Sequence, residues 1–185
     1  MPKVRTSLLR RWGLALSVVL AIPSPGWAAP CAQDLPPRFE DFPAEQAGTA
    51  TRPALKLNNA FAREYRTSLR EGLAHWPVDF AGHYVMVTHG CGTTCMTGGW
   101  VDAISGEATP LPGILDSFSP FGIEEPLLYR PDSRLLVTLG SAAGDETRPQ
   151  ASYYEWTGAE LRPVCTRILT ADEARLLGQA LPEKF

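Results

Sequence analysis

Leu57, Phe61, Tyr65, Leu69 and Leu73 recur at four-residue spacing, with Arg63, Glu64, Arg66, Arg70 and Glu71 between them. An apolar stripe of that period predicts an amphipathic helix. Asn58 or Asn59 supplies its N-cap and Pro77 stops it. The period then drops to two. Tyr84, Val85, Met86, Val87 and Thr88 are strand formers bounded by Gly82 and Gly90. Trp100, Val101, Asp102, Ala103 and Ile104 make a second strand, ended by the turn chemistry of Ser105 and Gly106. On strand geometry His83, Val85, Val87 and His89 share one side, and Tyr84, Met86 and Thr88 the other. The glycine-rich connection between the two strands carries Cys91 and Cys95. It is too long for a tight hairpin and too poor in helix formers for a helix, so a loop is expected.

Further along, Pro110, Pro112 and Gly113 break the chain, and Phe118 and Phe121 place two rings in a loop. Leu127 to Tyr129 and Leu135 to Leu139 read as strands around a type I turn at Pro131, Asp132 and Ser133. A long polar loop over residues 140–150 follows, then a hairpin of Ser152 to Trp156 and Leu161 to Thr166 about Thr157 and Gly158. Thr170 and Glu173 form a capping box that opens a short helix with Leu176, Leu177 and Leu181, ending at Pro182. The summed expectation is an α+β fold, mainly β: an antiparallel sheet in meander order with an N-terminal amphipathic helix and a short C-terminal helix. Residues 29–56, rich in proline, alanine and acids, read as an extended lead-in to a single β-rich domain over 57–185. No internal repeat or low-complexity tract is visible.

The first 28 residues have the layout of a secretory signal. Lys3, Arg5, Arg10 and Arg11 make a basic start, Trp12 to Ile22 an apolar core, and Gly26, Trp27 and Ala28 a small-residue cleavage pattern. Cleavage after Ala28 would deliver the protein to the periplasm or the medium. No segment approaches the roughly 20 apolar residues of a membrane-spanning helix. Without the leader the chain carries 13 basic against 20 acidic side chains, a formal charge of −7. Such a chain, lacking any basic run, is a poor fit to nucleic acid or anionic lipid and a better one to a basic protein partner or a small neutral ligand.

The densest stretch of the chain adds a family likeness. The run FAGHYVMV, then GCGTTC, then VDAISG resembles a mostly uncharacterised family of small exported bacterial proteins with a FAGxY, GCGxxC, VDxxTG-like series. YRPDSRLLVTLG and YYEWTGAELRPV extend the resemblance over residues 80–165, with Ser105 where threonine is more usual. The resemblance implies an exported β-rich fold whose two motif cysteines are paired, and it implies no activity. Four cysteines in an exported chain normally make two disulfides, with three possible pairings. The favoured one joins Cys91 to Cys95 locally and Cys31 to Cys165, pinning the N-terminal segment to the last strand.

Candidate chemistry is sparse. His83, His89, Cys91 and Cys95 are residue types that ligate zinc or copper at short spacings, but a Cys91–Cys95 disulfide would withdraw both thiolates. A dithiol oxidoreductase usually has two residues between its cysteines and a helix to lower a thiol pKa; here three residues intervene and glycines follow. Cys91 with His89 or His83 and Asp102 can be arranged as a nucleophile, base and acid, yet no G-x-S-x-G elbow or nucleotide fingerprint accompanies them. Phe118 and Phe121, with Asp145, Glu146 and Arg148, would make an aromatic pair and a charged rim for protein binding. The sequence therefore leans towards a binding protein without a cofactor and away from an enzyme, the alternative being a metal-binding or thiol-dependent role for the histidine and cysteine region.

Overall fold

The computed structural model describes residues 28–32, 35–46, 51–113, 115–116, 118–142 and 145–179. Apart from Ala28, the expected leader lies outside them, as do Leu181 and Pro182. The helices are α1 (Ala60–Glu64), α2 (Arg66–His75) and α3 (Ala171–Gln179). The strands are β1 (Tyr84–Gly92), β2 (Cys95–Asp102), β3 (Ala108–Pro110), β4 (Leu115–Asp116), β5 (Leu127–Tyr129), β6 (Leu135–Ala142), β7 (Asp145–Trp156) and β8 (Leu161–Ile168). Every pairing between strands is antiparallel. The fold is α+β, mainly β.

The strands divide between two sheets. β1, β2 and β3 lie side by side with β4 on the far half of β2, while β5 to β8 form a four-stranded meander. The two-residue side-chain period then generates layers. Val85, Val87 and Val101 pack with Ala62, Leu69 and Leu73 of the first two helices. On the opposite side, Tyr84, Met86 and Trp100 meet Leu127, Leu136 and Trp156 of the second sheet. That sheet turns Leu135, Val137, Leu139 and Tyr153 to Ala174 of α3, with Phe39 and Phe42 packed alongside. The order is thus helices, sheet, sheet, helix, and both faces of each sheet are covered.

Local chemistry explains the termini of the helices. The Asn59 side chain accepts the Ala62 N–H at 2.8 Å, and Leu57, exposed, precedes the helix instead of belonging to its apolar stripe. Thr170 and Glu173 cap each other's backbone N–H groups at the start of α3. Leu176 is exposed there, and Ala174 and Gly178 make the buried face.

Two expected loops are strands. The glycine-rich connection continues β1 and β2 to a two-residue turn at Thr93 and Thr94, with a bulge between Gly90 and Gly92. Its glycines serve close approach of strands: a Cβ on Gly98 would lie 2.3 Å from the Val87 carbonyl oxygen, and one on Gly99 2.1 Å from that of Thr109. Residues 140–150 likewise extend the β6–β7 hairpin, where Ser141 pairs with Pro149 and Gly140 with Gln150.

The segment before the first helix is extended and built into the domain. Pro30 bridges Thr166, and the Cys31–Cys165 disulfide fixes it there. Ser133, fully buried, donates its hydroxyl to the carbonyls of Phe39 and Phe42 and accepts the Leu135 N–H. Arg130 pairs with Glu40 and Asp132 and lies over the Phe39 ring. The PDSR run is therefore the cleat that holds the N-terminal strap across the ends of the second sheet.

Candidate functional site

The strap completes a recess between the two sheets. Its walls are Pro43, Ala44 and Glu45 of the strap, Ala81 and His83 ahead of β1, Tyr84 at its start, Arg134 ahead of β6, and Trp156, Thr157 and Gly158 at the β7–β8 turn. It encloses about 430 Å³. The FAG sequence shapes one wall. Ala81 and Gly82 both adopt left-handed backbone, with φ of 41° and 88°, and their N–H groups donate to the Arg130 and Pro131 carbonyls. A Cβ on Gly82 would sit 2.0 Å from the Glu45 carbonyl oxygen, so only glycine lets the strap close over this turn.

Each sheet sets a basic side chain beside a carboxylate at the recess. His83 precedes β1, and its Nε2 lies 3.8 Å from Asp102 at the end of β2. Arg134 precedes β6, and its guanidinium reaches Glu155 near the end of β7 at 2.6 Å. Glu155 is buried and also pairs with Arg162. Burial pushes its pKa up, but the hydrogen bond from Arg162 and the charges of both arginines outweigh that and hold the carboxyl below its ordinary value. The Arg134 guanidinium of the recess is thus already tied to a carboxylate. Glu45, exposed on the strap, is the lining charge with no partner among the described residues.

The floor is aromatic. Tyr84 packs edge-on against Trp156, with ring centroids 5.7 Å apart, and Trp156 against Trp100 at 4.9 Å. The His83 ring lies 4.2 Å from that of Tyr84. Burial raises the Tyr84 pKa; the nearby Trp156 indole opposes the shift, though its N–H falls short of hydrogen-bond geometry.

The other sequence candidates lie elsewhere. Cys91 and Cys95 form a disulfide with Cα atoms 5.0 Å apart at the tip of the β1–β2 hairpin. No free cysteine remains. His89 stacks on Tyr65 with centroids 5.0 Å apart, and six residue steps along the strand, about 20 Å, separate it from His83. No group of three or more His, Cys, Asp or Glu side chains with metal-site spacing occurs among the described residues. Phe118 and Phe121 pack partly buried on the core beside α3. Asp145, Glu146 and Arg148 start β7, where Asp145 accepts from Thr147 and Arg148 and its carboxyl is held below the ordinary range, chiefly by the Thr147 hydroxyl.

Glu45, Arg134 and Trp156 were not candidates in the sequence. The β6–β7 pairing sets Arg134 beside Trp156, whose N–H bonds the Arg134 carbonyl, and docking of the strap on the PDSR turn adds Glu45. Fold and site define a disulfide-stapled, mainly β protein with a recess between two stacked sheets. No family model, no curated protein and no solved structure matches the chain. No helix among the described residues is long and apolar enough to cross a membrane.

Proposed function

We propose that the protein is exported and acts by binding, taking a lysine or arginine side chain of a basic protein partner into the recess, as an inhibitor or immunity-type protein would. The observation that carries this reading is the unpartnered Glu45 carboxylate in a recess lined by Tyr84 and Trp156, beside an Arg134 that Glu155 already neutralises. An incoming cation finds a free counter-charge and a ring surface; an incoming anion finds neither. The −7 charge of the chain without its leader adds long-range attraction for a basic partner. Two disulfides suit the oxidising compartment that export would reach.

The test is the affinity of the protein for an arginine- and lysine-rich peptide, measured by calorimetry at low salt. Glu45→Gln should weaken binding about two- to fivefold, the effect of one rim charge pair. Equal affinity in the variant and the wild type, or no binding at all, would remove the support for this reading.

A further inference from the structure

The helical layer gathers the arginines that the carboxylates of the protein leave over. Every lysine or arginine among the described residues pairs with a carboxylate, except Arg52, Arg63, Arg66 and Arg70. Arg63 and Arg66 donate to the backbone carbonyls of Leu57 and Arg63. Arg70, exposed on α2, has no hydrogen bond or ion pair among the described residues. The Tyr65 N–H bonds the Phe61 carbonyl and the Leu69 N–H that of Tyr65, so the helical winding continues across the joint between α1 and α2. At about 100° per residue, Arg63, Arg66 and Arg70 then fall within about 60° of one another, with Glu64 and Glu71 about 100° further round. Like charges at i, i+3 and i, i+4 destabilise a helix, so this row costs the fold stability.

Beside the row lies a cavity of about 290 Å³, lined by Arg52, Leu55, Arg70, Leu73 and Ala74 among others. Arg52 is fixed there at both ends. Its backbone N–H donates to the Ala103 carbonyl at 2.8 Å. Its guanidinium donates to the carbonyls of Leu73 and Trp76, at the end of α2, at 2.5 and 2.7 Å. Carbonyls at a helix end carry partial charge only, so they orient the guanidinium without cancelling its unit charge, and further N–H donors of the fork remain. Arg52 also holds left-handed backbone, with φ of 47°, a conformation that is costly without glycine and that clusters at ligand sites.

We propose that this cavity binds a phosphate group between Arg52 and Arg70. Two guanidiniums lining one space repel each other until an anion lies between them. A phosphate monoester carries about −1.5 to −2 charges and three acceptor oxygens, which suits two guanidinium forks. Arg63 and Arg66 extend the positive potential along the helix. The formal charge of −7 on the chain without its leader does not prevent this, because exposed charges beyond about 8 Å are screened at physiological salt. The cavity lies in the helical layer, away from the recess between the sheets, and stands independently of what the recess binds.

Titration of isotope-labelled protein with inorganic phosphate at low ionic strength, followed in amide NMR spectra, tests the proposal. Saturable shifts are expected at Leu55, Arg70 and Ala74, with Glu45 and Gly158 of the recess unmoved. Arg70→Glu should abolish saturation without lowering the unfolding midpoint, and Arg175→Glu, the same charge change on α3, should leave it intact. If Arg70→Glu does not fold, Arg70→Gln should weaken binding about two- to fivefold. Retention of the protein on vesicles of phosphatidylcholine and phosphatidic acid, with release by excess phosphate, would identify a lipid headgroup as the source of the group. Phosphate binding without such retention would identify a soluble ester. No saturable binding by the wild type overturns the proposal, as does binding that survives the Arg70 variants or is weakened equally by Arg175→Glu.

Discussion

Replacing Cys31 and Cys165 together by alanine should cost far more stability than replacing Cys91 and Cys95. The two bridges differ chiefly in the loop they close: their cysteines are 134 residues apart in one case and 4 in the other. Loop-closure entropy then assigns about 5 kcal/mol to the long bridge and about 2 kcal/mol to the short one. The long bridge also acts where the native state is otherwise held by few bonds, the pairing of residues 29–31 with Thr166. Urea unfolding followed by tryptophan fluorescence gives both free energies under one set of conditions. A difference of about 3 kcal/mol between the double variants is expected, with similar denaturant slopes if the unfolded ensembles are comparably expanded. Equal losses, or a larger loss from the hairpin bridge, would refute the claim that Cys31–Cys165 is the main covalent staple.

Three further substitutions probe the strap and the recess. Gly82→Ala forces a Cβ against the Glu45 carbonyl at a left-handed position, and thermal unfolding should show a loss of at least about 1–3 kcal/mol. Ser133→Ala leaves the Leu135 N–H without its buried acceptor and frees the strap carbonyls, costing about 2 kcal/mol and speeding amide exchange at Arg134, whose N–H bonds the Phe42 carbonyl. Glu155→Gln should cost about 2 kcal/mol at neutral pH. Because the folded Glu155 pKa is depressed, its stabilisation is complete above the ordinary glutamate value, roughly 4.3, and is lost as pH falls through the folded value. The wild type and this variant should therefore converge in stability on acidification; a constant gap in a pH series of urea titrations would contradict the assignment.

Much of the fold was legible because it is written in short-range patterns. The four-residue stripe of the first two helices, the alternation about Val85 and Val87, the Thr157–Gly158 hairpin and the Thr170–Glu173 box each specify an element from adjacent residues. The split into two sheets was not, because strands as short as β3 and β5, three residues each, carry no local mark of their partners, and distant packing, Trp100 and Met86 on Leu136 and Trp156, stacks the two sheets. Residues 89–99 read as a loop because Gly98 and Gly99 have low strand propensity; neighbouring carbonyls leave no room there for a side chain. Proline and polar residues hid the first half of β7 in the same way, and Asp145, Glu146 and Arg148 proved to be strand residues. The recess was illegible because its chemistry is divided among the FAG turn, two strand ends and the strap, which are far apart in sequence and are joined by bonds such as Gly82 N–H to the Pro131 carbonyl and Ser133 to the strap carbonyls.

The most direct measurement is a titration of isotope-labelled protein with the arginine- and lysine-rich peptide, followed residue by residue in amide NMR spectra. Binding in the recess predicts shifts concentrated at Ala44, Glu45, Ala81, His83, Arg134, Thr157 and Gly158, with the Trp156 indole signal moving at the same rate. Shifts centred on other acidic surfaces, with these residues unmoved, would contradict the account.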